Sequence, residues 1–312
     1  MRYYLGIDTS NYTTSVALCD ENGSVTHTRK LLPVKSGQLG LRQSDAVFHH
    51  VQQLGELAKG IFSECDAQSI AAVGASVRPR DAEGSYMPCF TVGKMLAQVI
   101  SSMLKIPLYD FSHQCGHIMA AVGSAGRFDL IEKPFIAFHV SGGTTEGLLV
   151  NPDEKRIIKA ELAAKTLDLN AGQIIDRTGL MLGLDFPCGK ELEKAACEFK
   201  GDIKVKPVIK DTDCCLSGVE NKVAAMIKNG ATREETAYYV LKFVGCTVAQ
   251  MRDRLIEKYG DMPVLFAGGV MSDMLIRRWI DGDGKAIFGS SEFASDNAAG
   301  VAVLTKKRNE RE

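Results

Sequence analysis

Two imidazoles, His113 and His117, lie four residues apart in the run from Tyr109 to Met119. On a helix that spacing puts both rings on one face, one turn apart, where they can share a metal ion. Spacing alone describes one packed and one solvated histidine more often than a ligand pair, so a metal requires a further donor. Asp296, opening the last helical stretch, can supply an oxygen, although an aspartate in that place is also a good helix cap. Two imidazoles and one carboxylate, with positions left open, suit iron or zinc that polarises a substrate oxygen. Cys115, two residues from each histidine, points off their common face and reads as packing.

Phosphate chemistry is the second theme. Ser141, Gly142 and Gly143 join two strand-like segments, and glycines there let the backbone approach an anion while amides and hydroxyls point at it. The same residues also describe an ordinary glycine-rich turn. Adding 131 to each number places Asp8 on His139, Ser10 on Ser141 and Thr13 and Thr14 on Thr144 and Thr145, the mark of an internal duplication. With one hairpin per half, Asp8 and Ser10 on one side and Ser141 to Gly143 on the other would grip a nucleotide's phosphates. Gly268 and Gly269 follow a buried run, where an adenine or ribose could lie on bare backbone or a tight turn could simply need glycine.

The elements that must position these residues follow from periodicity. Tyr3 to Ile7 and Ser15 to Cys19 read as strands around a polar turn from Asp8 to Thr14, and Ile136 to Val150 repeats that pattern. Phe48, Val51, Leu54, Leu57 and Ile61 carry helical spacing, with His49 and His50 on the solvated face. Strands at Ile70 to Ser76 and Ile106 to Tyr109 then alternate with a helix near Val92 to Leu104. In the second half the capping box from Thr232 to Glu235 starts a helix running to about Tyr259. A strand at Pro263 to Phe266, a helix at Ser272 to Asp281, a strand at Ala286 to Phe288 and a helix at Ser295 to Lys306 complete it. Strands followed by helices in both halves predict two α/β domains facing a cleft.

At 312 residues and 45% hydrophobic content the chain can bury a large core. A formal net charge of -1 supplies no basic field for sequence-independent RNA binding, which leaves local patches such as Arg78 with Arg80, or partner proteins. The 9 cysteines, an odd number and partly in apolar runs, read as reduced thiols of a cytoplasmic protein. The sequence opens on a strand-like segment with no signal-peptide pattern, and no apolar stretch reaches the roughly 18 residues of a membrane span.

Eight motifs in order resemble the TsaD-like threonylcarbamoyl-transferase family, formerly described as glycoproteases or O-sialoglycoprotein endopeptidases. They are Leu5 to Ser10, His113 to His117, Val140 to Gly143, Ala171 to Asp176, Leu184 to Gly189, Leu216 to Gly218, Ala267 to Val270 and Ser295 to Asn297. The resemblance implies a duplicated actin-like ATPase fold (ASKHA, ribonuclease H-like), two α/β domains flanking a nucleotide cleft. The N-terminal half would span 1–130 and the C-terminal half 131–312, with the last helix, from about 295, packing back on the N-terminal half. It further implies His113, His117 and Asp296 as metal ligands, and places the Ser141 to Gly143 loop, Asp176 and Gly189 at ATP, ADP or threonylcarbamoyl-adenylate. For Asp176 the residue-level reading is a solvated or capping carboxylate. The implied activity is transfer of a threonylcarbamoyl group from its adenylate to the adenosine beside the anticodon of certain tRNAs. Iron or zinc would be the metal, with magnesium as a further candidate. tRNA would be met through partner subunits, in a hetero-complex or a dimer with a related protein. No residue is assigned as catalytic.

The chain departs from the family pattern at defined places. Asn11 to Thr14 replace Cys-Asp-Glu-Thr, which removes an acidic pair near the phosphates; Thr144 and Thr145 replace His-Thr; and Gln173, Ile174 and Ile175 interrupt Ala-Gly-Glu-Ala-Phe-Asp. Asp273 stands where the family has a neutral asparagine after the nucleotide glycines, and Val77 to Cys89 replaces a stretch rich in glycine and proline. Fewer carboxylates at a phosphate site alter magnesium binding and charge balance. Two alternatives follow: a small-molecule kinase of the same superfamily, in which Asp8 or Asp176 organises magnesium, and a non-catalytic nucleotide-binding subunit of a tRNA-modifying complex. A peptidase would need the His-Glu-x-x-His base that this chain lacks.

Overall fold

Strand β1 (Tyr3–Thr9) is buried from Tyr4 onward on both faces, which its nearly continuous apolar sequence anticipates. The computed structural model describes every residue except 11, 34–40, 64, 283 and 291–296. Asn11, Ser295 and Asp296 therefore lie outside the described residues. Contacts divide the chain into two units, Met1–Lys133 with Asn151–Glu161 and Glu292–Glu312, and Pro134–Val150 with Leu162–Ser291.

In the first unit β1 pairs antiparallel with β2 (Thr13–Asp20), which pairs with β3 (Val25–Leu31). Helix α1 (Gln43–Phe62) leads to β4 (Ile70–Arg78), parallel to β1, and α2 (Phe90–Leu104) leads to β5 (Leu108–Ser112), parallel to β4. The sheet order is β3-β2-β1-β4-β5. Parallel neighbours need a crossover, and the two helices provide it. α3 (His113–Ser124) begins at the residue after β5, with Ser112 ending the strand and capping the helix by accepting the Cys115 amide at 3.2 Å.

The second unit repeats this plan. β6 (Phe135–Val140), β7 (Thr145–Asp153) and β8 (Ile157–Lys165) form the meander, of which Asn151–Glu161 is counted with the first unit. Helices α4 (Ala171–Met181) and α5 (Gly189–Glu198), the hairpin β9 (Val208–Lys210) and β10 (Asp213–Cys215), and helices α6 (Gly218–Lys228) and α7 (Arg233–Tyr259) precede β11 (Val264–Ala267). After α8 (Met274–Ile280) comes β12 (Ile287–Phe288), and the order β12-β11-β6-β7-β8 mirrors the first sheet. The register repeats too. Thr9 faces Thr14 and Val140 faces Thr145, 131 residues later on both strands. This is the fold class the sequence predicted, a duplicated α/β fold of the actin-like ATPase type. α9 (Asn297–Asn309), which belongs to the first unit, is buried on all sides from Asn297 to Lys306 and packs against α3, β1, β2 and β4.

Three expectations change in detail. The polar turn expected from Asp8 to Thr14 is shorter, because β1 runs to Thr9 and β2 starts at Thr13. On α1, Phe48 and Val51 are 58% and 60% exposed, while Ala46, His50, Leu54, Ala58 and Ile61 face the core. His50 can hold a core position because both ring nitrogens find partners there, and the reading of it as a solvated histidine is wrong for that reason. The helix expected over Ser272 to Asp281 is a 3₁₀ turn at Gly269–Ser272 followed by α8, which Asp273 caps by accepting the Ile276 amide at 2.9 Å. Among the described residues no helix is long and apolar enough to cross a membrane.

Helices α3 and α9 touch through backbone. A Cβ on Gly300 would fall on the Gly116 carbonyl oxygen, with the Gly116 carbonyl carbon at 2.7 Å and the Ala120 nitrogen at 2.8 Å. Overpacking of this kind costs about 1–3 kcal/mol. Gly300→Ala is expected to lower unfolding free energy by about that amount in a urea titration, and an unchanged midpoint would contradict this packing.

Candidate functional site

In the first unit the site is built on a buried carboxylate. Asp8 ends β1 with no solvent exposure, and its Oδ2 lies 2.9 Å from His113 Nδ1 at the start of α3. Burial alone would raise the Asp8 carboxyl, but the charge and hydrogen bond of His113, with the Ser76 and Ser10 hydroxyls, outweigh it and hold it below the usual carboxylate range. The His113 and His117 rings meet edge to face at 4.7 Å, as the four-residue spacing predicts, and Phe90 flanks His113 at 5.8 Å. His113 Nε2 lies 3.4 Å from the Asn297 amide nitrogen at the start of α9.

Three buried polar atoms among the described residues have no hydrogen-bond partner: Asp8 Oδ1, Ser76 Oγ and Asn297 Oδ1. All three belong to the residues gathered around His113, and unsatisfied buried groups concentrated in one place mark a spot built for an ion or water. Two imidazoles and these oxygens are the donor chemistry iron or zinc takes. Among the described residues no three His, Cys, Asp or Glu side chains converge as a metal set, and the third expected ligand, Asp296, is outside them. The residues present therefore fit a metal without completing its shell.

The segment from Val77 to Cys89 anchors this helix. Asp81, its carboxylate buried, takes Arg78 Nη2 at 2.9 Å, Arg156 Nη1 at 3.7 Å and the Cys115 thiol at 3.0 Å. The Gln114 amide donates to the Pro79 carbonyl at 3.0 Å. Burial and the neighbouring Asp81 charge push the Cys115 thiol well up, so it is a packed, protonated donor, as its offset from the histidine face predicts. Beneath the first hairpin, His50 Nε2 donates to the Ser10 carbonyl at 2.7 Å and Nδ1 lies 2.8 Å from the Thr14 hydroxyl. Burial lowers the His50 imidazole, against the pull of the Ser10 carbonyl and the Asp8 charge, which favours this neutral form.

In the second unit a cavity of about 760 Å³ is lined by Gly142, Gly172, Asp176, Gly189, Gly269 and Asp273, together with Ile175, Pro187, Lys190, Glu193, Val270 and Ser272. Of the residues picked from sequence, it gathers Gly142, Asp176, Gly189, Gly269 and Asp273. Ser141 and Gly143 complete the turn beside Gly142, where Ser141 Oγ accepts the Gly143 and Thr144 amides at 3.2 and 3.1 Å. Gly268, at φ 102°, is where the backbone turns after β11, and a side chain there would strike the Val140 carbonyl.

α4 presses directly on the glycine loop. Its cap Asn170 and Gln173 form a reciprocal capping box, and the Gly172 amide donates to the Ser141 carbonyl at 3.1 Å. A Cβ on Gly172 would stand 2.6 Å from the Gly142 nitrogen. Asp176 Oδ1 accepts the Cys188 amide at 2.9 Å, which ties α4 to the start of α5. Asp168 accepts the Leu216 amide at 2.7 Å and the Ser217 hydroxyl at 2.6 Å, so the motif from Leu216 to Gly218 is held at the loop before α4.

Two carboxylates flank the start of α8. Glu193 accepts the Met274 amide at 2.7 Å and Asp273 accepts that of Ile276. Burial, reinforced by the Glu193 charge and opposed by the amides of Ile276 and Leu275, raises Asp273 to about 6. Bare glycine backbone, three carboxylates and Lys190 together can accept sugar hydroxyls and offset a phosphate. Sequence reasoning missed Gly172, Lys190, Glu193, Ser76, Asn297 and His50. Gly172 and Asn297 sit inside recognised motifs, Lys190 directly follows one, and Glu193 lies within a helical turn of Lys190. Ser76 carries no local signal, because only the pairing of β4 with β1 brings it to Asp8.

Residues 26–303 match the model of the TsaD family, described as tRNA N6-adenosine threonylcarbamoyltransferase. A probable bifunctional tRNA threonylcarbamoyladenosine biosynthesis protein of Thermoplasma volcanium is 25% identical over 96% of this chain, which spans 55% of that relative's length. The tRNA N6-adenosine threonylcarbamoyltransferase of Neorickettsia sennetsu is 27% identical over 97% of this chain and 93% of its own. Among solved structures, component A of the Acidaminococcus fermentans (R)-2-hydroxyglutaryl-CoA dehydratase superposes with a TM-score of 0.59 over 99% of this chain and all of that one, at 15% identity. At that identity the likeness is one of fold.

The raised Asp273 gives a stability test. A carboxyl whose folded pKa lies above its unfolded value of 3.8 contributes most when protonated, and that contribution disappears as pH rises from about 4 through 6. Asp273→Asn keeps the cap and removes the charge. At pH 7.5 it is expected to be more stable than the wild type by about 1–2 kcal/mol, the partly solvated part of the linkage. In urea titrations that advantage should shrink steadily below pH 6, and a gain independent of pH would refute the assignment.

Proposed function

Because this chain belongs to the TsaD family, we propose that it is a metal-dependent carbamoyl-type transferase, most directly a tRNA N6-adenosine threonylcarbamoyltransferase. The family match across residues 26–303 is the observation that carries this reading. Support within each unit taken by itself comes from the histidine pair of the first and the glycine-lined cavity of the second.

The nucleoside of ATP, ADP or threonylcarbamoyl-adenylate would enter the cavity of the second unit. There Asp176, Glu193 and Asp273 accept hydroxyl and amino protons, Lys190 offsets phosphate charge, and Gly142, Gly189 and Gly269 let the ligand lie on backbone. His113 and His117, with Asp296 as the third ligand, would hold iron or zinc, with magnesium accompanying a bound triphosphate. When bound, the metal supplies Lewis acidity that polarises the acyl oxygen. The acceptor amine forms the new carbon–nitrogen bond at the carbamoyl carbon, the carbon–oxygen bond to AMP breaks, and the amine's proton leaves to solvent or phosphate. Asp8 on β1 and Asp81 after β4, both buried, bind the first turn of the histidine helix through His113 and Cys115.

We place this activity in the cytoplasm, with tRNA reached through partner subunits in a hetero-complex or a dimer with a related protein. The kinase and non-catalytic readings are not favoured, since the curated relatives are named as transferases or as tRNA-modification proteins.

Elemental analysis of the purified protein should find about one iron or zinc per chain. That metal should disappear in the double variant His113→Ala, His117→Ala. Metal-loaded protein incubated with threonine, bicarbonate, ATP, an adenylate-forming partner and tRNA should then label the tRNA adenosine. A chain that retains its metal yet leaves tRNA unlabelled, with all partners present, would overturn the named acceptor.

A further inference from the structure

We propose that Asp8 is a positioning residue: its carboxylate fixes His113 in the Nδ1–H tautomer and turns the Nε2 lone pair toward the metal position. The inference rests on the reading of His113 and His117 as metal ligands given above. It departs from the sequence-based expectation that Asp8 faces a nucleotide's phosphates.

The proton count decides the tautomer. A carboxylate only accepts, so the 2.9 Å contact of Asp8 Oδ2 with His113 Nδ1 requires a proton on Nδ1. On the other side of the ring, Nε2 faces the Asn297 amide nitrogen, which donates, at 3.4 Å. Charged or neutral, the ring therefore keeps its hydrogen on Nδ1, and its neutral form carries the lone pair on Nε2, beside the Asn297 amide. A neutral imidazole can ligate a metal only through its unprotonated nitrogen, and a carboxylate behind the ring fixes both tautomer and orientation.

Burial makes the arrangement one-sided. The Asp8 side chain is 1% exposed and that of His113 is 23% exposed, so the carboxylate forms the floor and the imidazole opens outward. Among the described residues Oδ2 is committed to His113, and Oδ1 lacks a partner, as do Ser76 Oγ and Asn297 Oδ1 nearby. β1 places Asp8 and α3 places His113, so this contact joins strand and helix. Packing of β1 and α3 against α9 leaves neither element free to slide.

Asp8→Asn is the isosteric test. An asparagine amide can donate to Nδ1 as readily as its carbonyl can accept from it, so both tautomers become available. Two readouts apart from activity apply. Long-range proton–nitrogen NMR of the metal-free protein, whose 6 histidines keep the spectrum sparse, should show His113 protonated on Nδ1 in the wild type and mixed in Asp8→Asn. Chelator competition with cobalt(II) or zinc should give a dissociation constant roughly 10–100-fold weaker for Asp8→Asn. Asp129→Asn, at the exposed Arg127 pair, should leave the constant unchanged, and equal thermal melting of the metal-free proteins would exclude a folding defect.

A wild type whose His113 carries its proton on Nε2 overturns the proposal without recourse to any variant. So does an Asp8→Asn protein that binds metal within twofold of the wild type. A wild type that binds no metal sensitive to His113→Ala instead removes the metal reading on which the proposal rests.

Discussion

A carboxylate with no access to water has to be answered by donors, and Asp8 at the end of β1 sets that requirement for everything around it. An uncompensated charge there would neutralise itself or unfold the strand. His113 compensates it by a hydrogen bond from the first turn of α3, with the Ser76 and Ser10 side chains as polar neighbours from β4 and the first hairpin. The histidine helix is therefore fixed by an electrostatic demand arising in the central strand, while Asp81 and its arginines restrain the same helix from the other flank. His50 completes the frame by supporting the Ser10 carbonyl from below.

The second unit solves a different problem with the same topology. Its meander and crossover strands keep the register of the first, displaced by 131 residues, yet the residue equivalent to Asp8 is His139. In place of a buried charge, it uses the absence of side chains. Gly172 lets α4 press on the Ser141 to Gly143 turn, and Gly268 lets the chain turn under Val140, which leaves a cavity walled by backbone. One plan thus gives one unit a charged anchor and the other an open surface suited to a nucleoside.

The departures from the family pattern redistribute charge. Asn11 to Thr14 lack the acidic pair of the first hairpin, whereas Asp273 adds a carboxylate beside Glu193 in the cavity. The rise of Asp273 to about 6 is the cost of that crowding and burial. Near neutral pH the cavity carries more negative charge than one with an amide at that position. The replaced stretch from Val77 to Cys89 takes on a structural duty, since Asp81 within it anchors Cys115 between the two histidines.

Local chemistry determined much of this protein. Most strand and helix periods, the Thr232 cap that accepts the Glu235 amide and the four-residue histidine spacing are short-range features, and the structure contains them. The family resemblance likewise rests on short motifs in order. What the sequence left open depended on residues far apart along the chain. That Asp8 faces His113, 105 positions away, that His50 belongs in the core, and that Glu193 and Asp273 share the start of α8 are outcomes of strand pairing and helix packing. A buried polar side chain is tolerable only where a partner waits, and the folded chain alone decides which partner that is.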